Sequence, residues 1–153
     1  MSEINLGIIG GGQLGSMLSM AAKKLDIKSI IYCDDINAPA QNFCDEFIFG
    51  NYNEIEKILE FANKANIITY EFENIPYTTL NEISKKKPVL PDPNVNKIIQ
   101  HRLAEKDFIN KLSIRTTQYS SVEKKSDLDS LGSLLPCLLY TSYAADEKRC
   151  GGG

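Results

Sequence analysis

The chain has 153 residues, 42% of them apolar and 24% charged, with a formal net charge of −3. That length supports one domain with a sizeable core, and the composition is ordinary for a globular protein. The acidic balance offers nothing to a nucleic acid, no apolar run approaches the ~20 residues that span a bilayer, and one histidine with four cysteines lacking C-x-x-C spacing argues against a zinc site.

An apolar run over residues 4–9 predicts a parallel strand buried on both faces. Gly10, Gly12 and Gly15 follow at G-x-G-x-x-G spacing, a pattern that brings backbone N–H groups and a helix N-terminus to a phosphate or nucleotide-like ligand. Leu14, Met17, Leu18, Ala21, Ala22 and Leu25 then recur at helical spacing, which predicts a helix whose apolar stripe packs on the sheet. Residues 29–33 read as a second strand ending at Asp34-Asp35, and residues 46–49 as a third. Asn53 is the expected N-cap of a second helix carrying Ile55, Ile58, Leu59 and Ala62. Residues 67–70 form the fourth expected strand and run into Glu71-Phe72-Glu73-Asn74. Ile75-Pro76 breaks the pattern before a short helix with Leu80 and Ile83 inward, and Lys85-Lys86-Lys87 reads as its solvated end. A fifth short strand at residues 89–90 precedes a helix or helix pair through Ile98, Leu103, Phe108, Ile109 and Leu112.

This alternation predicts an α/β fold with a Rossmann-like parallel sheet. Such sheets bind ligands outside the carboxyl ends of their strands, so the glycine loop, Asp34-Asp35 and residues 71–74 should converge at one edge. The pattern changes near Ser113. Residues 114–119 suit an extended linker or edge strand, 123–131 a helix and 134–140 a strand, too little for a stable second domain.

Each polar candidate carries two readings. Asp34 stands about twenty residues beyond the glycines, where a dinucleotide fold places its ribose-binding acid, but a solvated turn acid before Asn37 and Pro39 is the preferred reading. In an extended segment Glu71 and Glu73 share a face, and with Asn74 they suit ribose hydroxyls or an amine; the competing reading is a helix-capping acid cluster. Arg102 suits a phosphate clamp or a pair with Glu105 one turn along. His101 reads as a surface histidine.

Three ordered motifs carry a resemblance. Ile8-Ile9-Gly10-Gly11-Gly12-Gln13-Leu14-Gly15-Ser16-Met17, Thr69-Tyr70-Glu71-Phe72-Glu73-Asn74-Ile75-Pro76 and Gln100-His101-Arg102-Leu103-Ala104-Glu105-Lys106 resemble the hallmarks of the 5-(carboxyamino)imidazole ribonucleotide synthase family, within the ATP-grasp superfamily. The resemblance covers residues 1 to about 139. It implies a Rossmann-like pre-ATP-grasp domain over residues 1–112 and the truncated start of an ATP-grasp domain over 113–139. It implies an ATP-dependent ligase that carboxylates 5-aminoimidazole ribonucleotide with bicarbonate in purine biosynthesis, using ATP and Mg²⁺. Gly12, Gln13, Leu14, Glu71, Glu73 and Asn74 would bind the ribonucleotide and Arg102 would contact ATP; no metal ligand and no catalytic residue is assigned within this chain. A cytoplasmic setting with reduced thiols is expected, and the resemblance leaves a homodimer open for the full-length family.

The chain departs from the family pattern at Ser16, where arginine is common, at His101, where aspartate is common, and after Leu139. There Tyr140 stands in place of an ATP-binding lysine, and the glycine-rich loop is absent. Cys137-Leu138-Leu139-Tyr140-Thr141-Ser142 resembles the translation of a transposon-end sequencing adapter, so residues 140–153 are expected to be a non-native tail and the fragment inactive. Two other readings stand: an NAD-binding oxidoreductase domain, and a non-catalytic ribonucleotide-binding module.

Overall fold

The computed structural model describes residues 4–122, 124, 126 and 127. The strand expected over 134–140 and the tail from 140 lie outside the described residues, as does most of the helix expected over 123–131. The chain divides into two compact units, residues 1–97 and 98–153.

Among the described residues, five strands and four helices follow one another up to residue 99. They are β1 (Asn5–Ile9), α1 (Gln13–Lys24), β2 (Lys28–Cys33), β3 (Glu46–Phe49), α2 (Ile55–Lys64), β4 (Ile67–Tyr70), α3 (Tyr77–Ser84), β5 (Val89–Leu90) and α4 (Pro93–Ile99), with a 3₁₀ turn at Pro39–Asn42. Every strand pair is parallel, in the order β3-β2-β1-β4-β5. Because successive side chains leave a strand on opposite faces, neighbouring residues feed different cores. Ile9, Ile30 and Tyr32 enter a large core with Ile58 and Phe61 of α2 and Leu80 and Ile83 of α3. Ile8, Ile31 and Cys33 enter a smaller one with Ala38 and Ala40. Burial on both faces explains why these strands are apolar throughout rather than alternating.

The first helix corrects the sequence expectation. Its buried residues are Gly15, Ser16, Ser19 and Ala22, whereas Leu14, Met17 and Leu25 are 55%, 53% and 71% exposed. Only small side chains let α1 lie this close to the glycine loop: a Cβ on Gly15 would come within 2.7 Å of the Gly10 carbonyl oxygen. The apolar periodicity is real, but its large members point away from the sheet.

The second helix also starts differently from expectation. Asn51 Oδ1 accepts the Asn53 N–H at 2.9 Å, Glu54 Oε1 accepts the Asn51 N–H at 2.9 Å, and Glu54 is the N-cap residue. On α3, Thr79 is fully buried beside the expected Leu80 and Ile83, and its hydroxyl donates to the Tyr52 carbonyl at 2.8 Å. Thr79→Val keeps the shape and leaves that carbonyl without this donor. It should cost about 1–3 kcal/mol in urea unfolding.

The described part of the second unit holds α5 (Arg102–Lys111). Residues 114–119 are irregular rather than a strand. Polar contacts hold them to the helix: Asn110 Nδ2 donates to Thr116 Oγ1 and to the Tyr119 hydroxyl, both at 3.1 Å, and Tyr119 donates to Asp107 Oδ1 at 2.6 Å. Among the described residues, no helix is long and apolar enough to cross a membrane.

Candidate functional site

The sheet order reverses direction of growth between β1 and β4, and a crevice opens at the carboxyl ends of strands at such a point. Two backbone bonds align these ends. Gly10 N–H donates to the Tyr32 carbonyl at 2.9 Å, and Glu71 N–H donates to the Ile9 carbonyl at 3.2 Å. Gly10 has φ +109°, which turns the chain sharply out of β1 in a conformation that favours glycine.

That turn places the start of α1 beneath Glu71. Gly12 is the N-cap residue and brings no side chain, and the first turn of α1 contains no acidic residue. Glu71 supplies what is missing: its Oε1 accepts the Gly12 N–H at 3.1 Å, from 59 residues away in the sequence. The carboxylate also lies against the loop, so a Cβ on Gly10 would come within 2.6 Å of Oε1. A negative charge at a helix N-terminus is favourable because unpaired N–H groups and the helix dipole both point there. The place where a dinucleotide fold receives a pyrophosphate is therefore filled by the protein's own carboxylate.

The other expected residues fall around this contact. Gln13 and Leu14 open α1 and are exposed. The extended run expected over residues 71–74 ends at Phe72, because the chain turns there with Ile75 N–H donating to the Phe72 carbonyl at 3.5 Å. Buried Ile75 anchors the turn, and the Asn96 side chain donates to its carbonyl at 2.9 Å. Glu73 and Asn74 sit exposed on this turn, so strand alternation does not place Glu73 beside Glu71. Asp34 is exposed at the end of β2, and Asp35 Oδ1 accepts the Asn37 N–H at 2.8 Å. The three expected loops thus lie at the ends of the adjacent parallel strands β2, β1 and β4.

In the second unit, Arg102 begins α5 and pairs with Glu105. His101 is the helix N-cap: its Nδ1 accepts the Ala104 N–H at 3.4 Å. The imidazole nitrogen thereby does at this position what a capping carboxylate would do. Ser16, the other departure from the family motifs, is buried and donates its hydroxyl to the Gly12 carbonyl at 3.0 Å.

Sequence reasoning missed the support beneath the crevice. Tyr52 is buried, stacks at a tilt on Phe72 with 6.5 Å between centroids, and donates its hydroxyl to Cys33 Sγ at 3.7 Å. Burial, with the Cys33 contact second, pushes its phenol well above the ordinary range. Burial, followed by the charges of Glu54 and Asp34, pushes Tyr32 up to about 12. Both phenols stay protonated and act as donors. Among the described residues, no cluster of three or more His, Cys, Asp or Glu is arranged to hold a metal ion.

A family model described as the ribonucleotide synthetase pre-ATP-grasp domain matches residues 1–100. The chain is 37% identical over 130 residues to an N5-carboxyaminoimidazole ribonucleotide synthase of Brucella melitensis biotype 1, covering 84% of this chain and 36% of that protein. The solved N5-carboxyaminoimidazole synthetase of Staphylococcus aureus, complexed with ADP, superposes with a TM-score of 0.82 at 30% identity, covering 86% of this chain and 35% of that one. An N5-carboxyaminoimidazole synthase from Aspergillus clavatus, in complex with ADP and 5-aminoimidazole ribonucleotide, gives 0.78 at 27% identity, covering 87% and 36%. The chain spans about a third of the length of each.

Proposed function

We propose, because the chain belongs to the N5-carboxyaminoimidazole ribonucleotide synthase family and carries its pre-ATP-grasp domain, that these residues form the ribonucleotide-binding wall of an ATP-dependent carboxylating ligase. The whole protein would join bicarbonate to the amine of 5-aminoimidazole ribonucleotide at the expense of ATP, in the cytoplasm. The observation that carries the reading is the Glu71 carboxylate on the Gly12 N–H. A loop filled this way presents acceptors rather than donors. It suits the hydroxyls of a ribose or an amine and disfavours the pyrophosphate of a dinucleotide. The NAD-binding alternative would need Glu71 to leave a favourable position at the start of α1.

In this reading Gly12, Gln13, Leu14, Glu71, Glu73 and Asn74 bind the ribonucleotide, and Arg102 contacts ATP. Residues 1–112 form the substrate domain, 113–139 begin the ATP-grasp domain, and 140–153 are not natural sequence. In this reading Mg²⁺ would assist the ATP chemistry of the whole protein from a site outside this chain. Bicarbonate activation and phosphoryl transfer would belong to residues outside this chain, which would bind ribonucleotide without turnover.

A titration of the ¹⁵N-labelled chain with 5-aminoimidazole ribonucleotide tests this. Saturable shifts at Gly12, Gln13 and Glu71, with no phosphate released from ATP and bicarbonate, are the expected result. Shifts with NADH but not with the ribonucleotide would overturn it.

A further inference from the structure

Three loops at the carboxyl edge come from β1, β2 and β4, and each reaches the pair Tyr52 and Cys33. Cys33 ends β2, and its sulfur accepts the Tyr52 hydroxyl at 3.7 Å and the Asp35 N–H at 3.5 Å. The same sulfur backs the glycine loop, since a Cβ on Gly11 would lie 2.9 Å from it. On its other side the Tyr52 ring meets Phe72, the residue between Glu71 and Glu73. The Tyr52 main chain is itself fixed, through the Thr79 hydroxyl on its carbonyl. A chain of contacts therefore runs from Gly11 through Cys33 and Tyr52 to Phe72, beneath the Gly12–Glu71 hydrogen bond.

We propose that Tyr52 is a positioning residue, whose hydroxyl on Cys33 and ring on Phe72 set the spacing between the glycine loop and Glu71. The two loops come from different crossovers, so the main-chain bonds of the sheet align their bases but not their tips. The part-buried Gly12–Glu71 bond joins the tips directly, and the buried Tyr52–Cys33 bond braces them from the core, where a satisfied polar contact rigidifies its surroundings. The tie is a property of the ligand-free protein. Its effect on affinity rests on the ribonucleotide reading above.

Tyr52→Phe removes the hydroxyl and keeps the ring. Amide exchange at Gly12 should quicken at least ~3-fold, and the Gly11 and Gly12 resonances should move, while exchange in β1 and α2 stays within ~2-fold. Cys33→Ala, which removes the acceptor instead, should reproduce the same local changes, and Cys33→Ser, which retains one, should reverse most of them. Ribonucleotide affinity should fall about 3- to 10-fold in Tyr52→Phe and recover to within ~2-fold of the parent in Cys33→Ser. Unchanged Gly11 and Gly12 signals in both Tyr52→Phe and Cys33→Ala would overturn the proposal, as would exchange raised equally everywhere. If the parent chain does not bind the ribonucleotide, the functional reading fails and the ligand-free signals still decide the tie.

Discussion

Gly15→Val should destabilise the first unit by about 3 kcal/mol or more in urea unfolding. The cause is a side-chain atom meeting fixed backbone. A Cβ at position 15 would lie 2.7 Å from the Gly10 carbonyl oxygen and 3.5 Å from the Ala40 Cβ. No rotamer relieves the first contact, so α1 must retreat from the loop. Retreat pulls Gly12 from Glu71 and Ser16, Ser19 and Ala22 from their buried positions. Helix propensity favours valine over glycine by only a few tenths of a kcal/mol, so the steric term decides the sign. Met17→Ala supplies the contrast on the same helix. A methionine buried against the sheet would cost about 2–5 kcal/mol on truncation to alanine. Met17 is 53% exposed, and its loss should stay within about 0.5 kcal/mol. A large loss at Met17 with none at Gly15 would mean that α1 packs the other way round.

That inversion marks where the sequence stops being legible. The central strands were readable because burial on both faces leaves apolar runs, and residues 67–70 emerge with the bounds expected of them, as do residues 46–49 on the less buried edge strand β3. The face of α1 was not readable, because hydrophobic periodicity identifies the side with large apolar groups and cannot say whether small residues are needed for close approach. Glu71 stood out as a carboxylate at a strand end. Its partner, a main-chain N–H 59 residues away, leaves no trace in residue type. Tyr52 and Cys33 went unnoticed for a related reason: a tyrosine and a cysteine 19 residues apart look like ordinary core residues until the fold joins them. His101 is exposed, as expected of a surface histidine, and its capping role stayed hidden because capping depends on backbone angles at one residue, here φ −122° and ψ 104°. Local chemistry was legible where it repeats along the chain, and illegible where one contact joins distant segments.

Glu71→Gln is the sharpest test of the site, because glutamine separates the two tasks assigned to this side chain. Its amide oxygen can still accept the Gly12 N–H, so the start of α1 keeps its cap and the fold should lose no more than about 1 kcal/mol. The other oxygen of the carboxylate is replaced by an NH₂ donor. In the proposed site a ribose hydroxyl would then meet a donor in place of an acceptor, and a charge-assisted hydrogen bond would be lost. Such bonds contribute about 1.5–3 kcal/mol, so affinity for the ribonucleotide should fall roughly 10- to 150-fold by calorimetric titration. Glu71→Ala should add a stability loss, because it also strips the cap from a helix that carries no acidic residue in its first turn. The order expected for stability is therefore parent, glutamine, alanine, with both variants poor in binding. Full affinity in Glu71→Gln would mean that the carboxylate serves the helix alone and that the ribonucleotide is recognised elsewhere on the sheet edge.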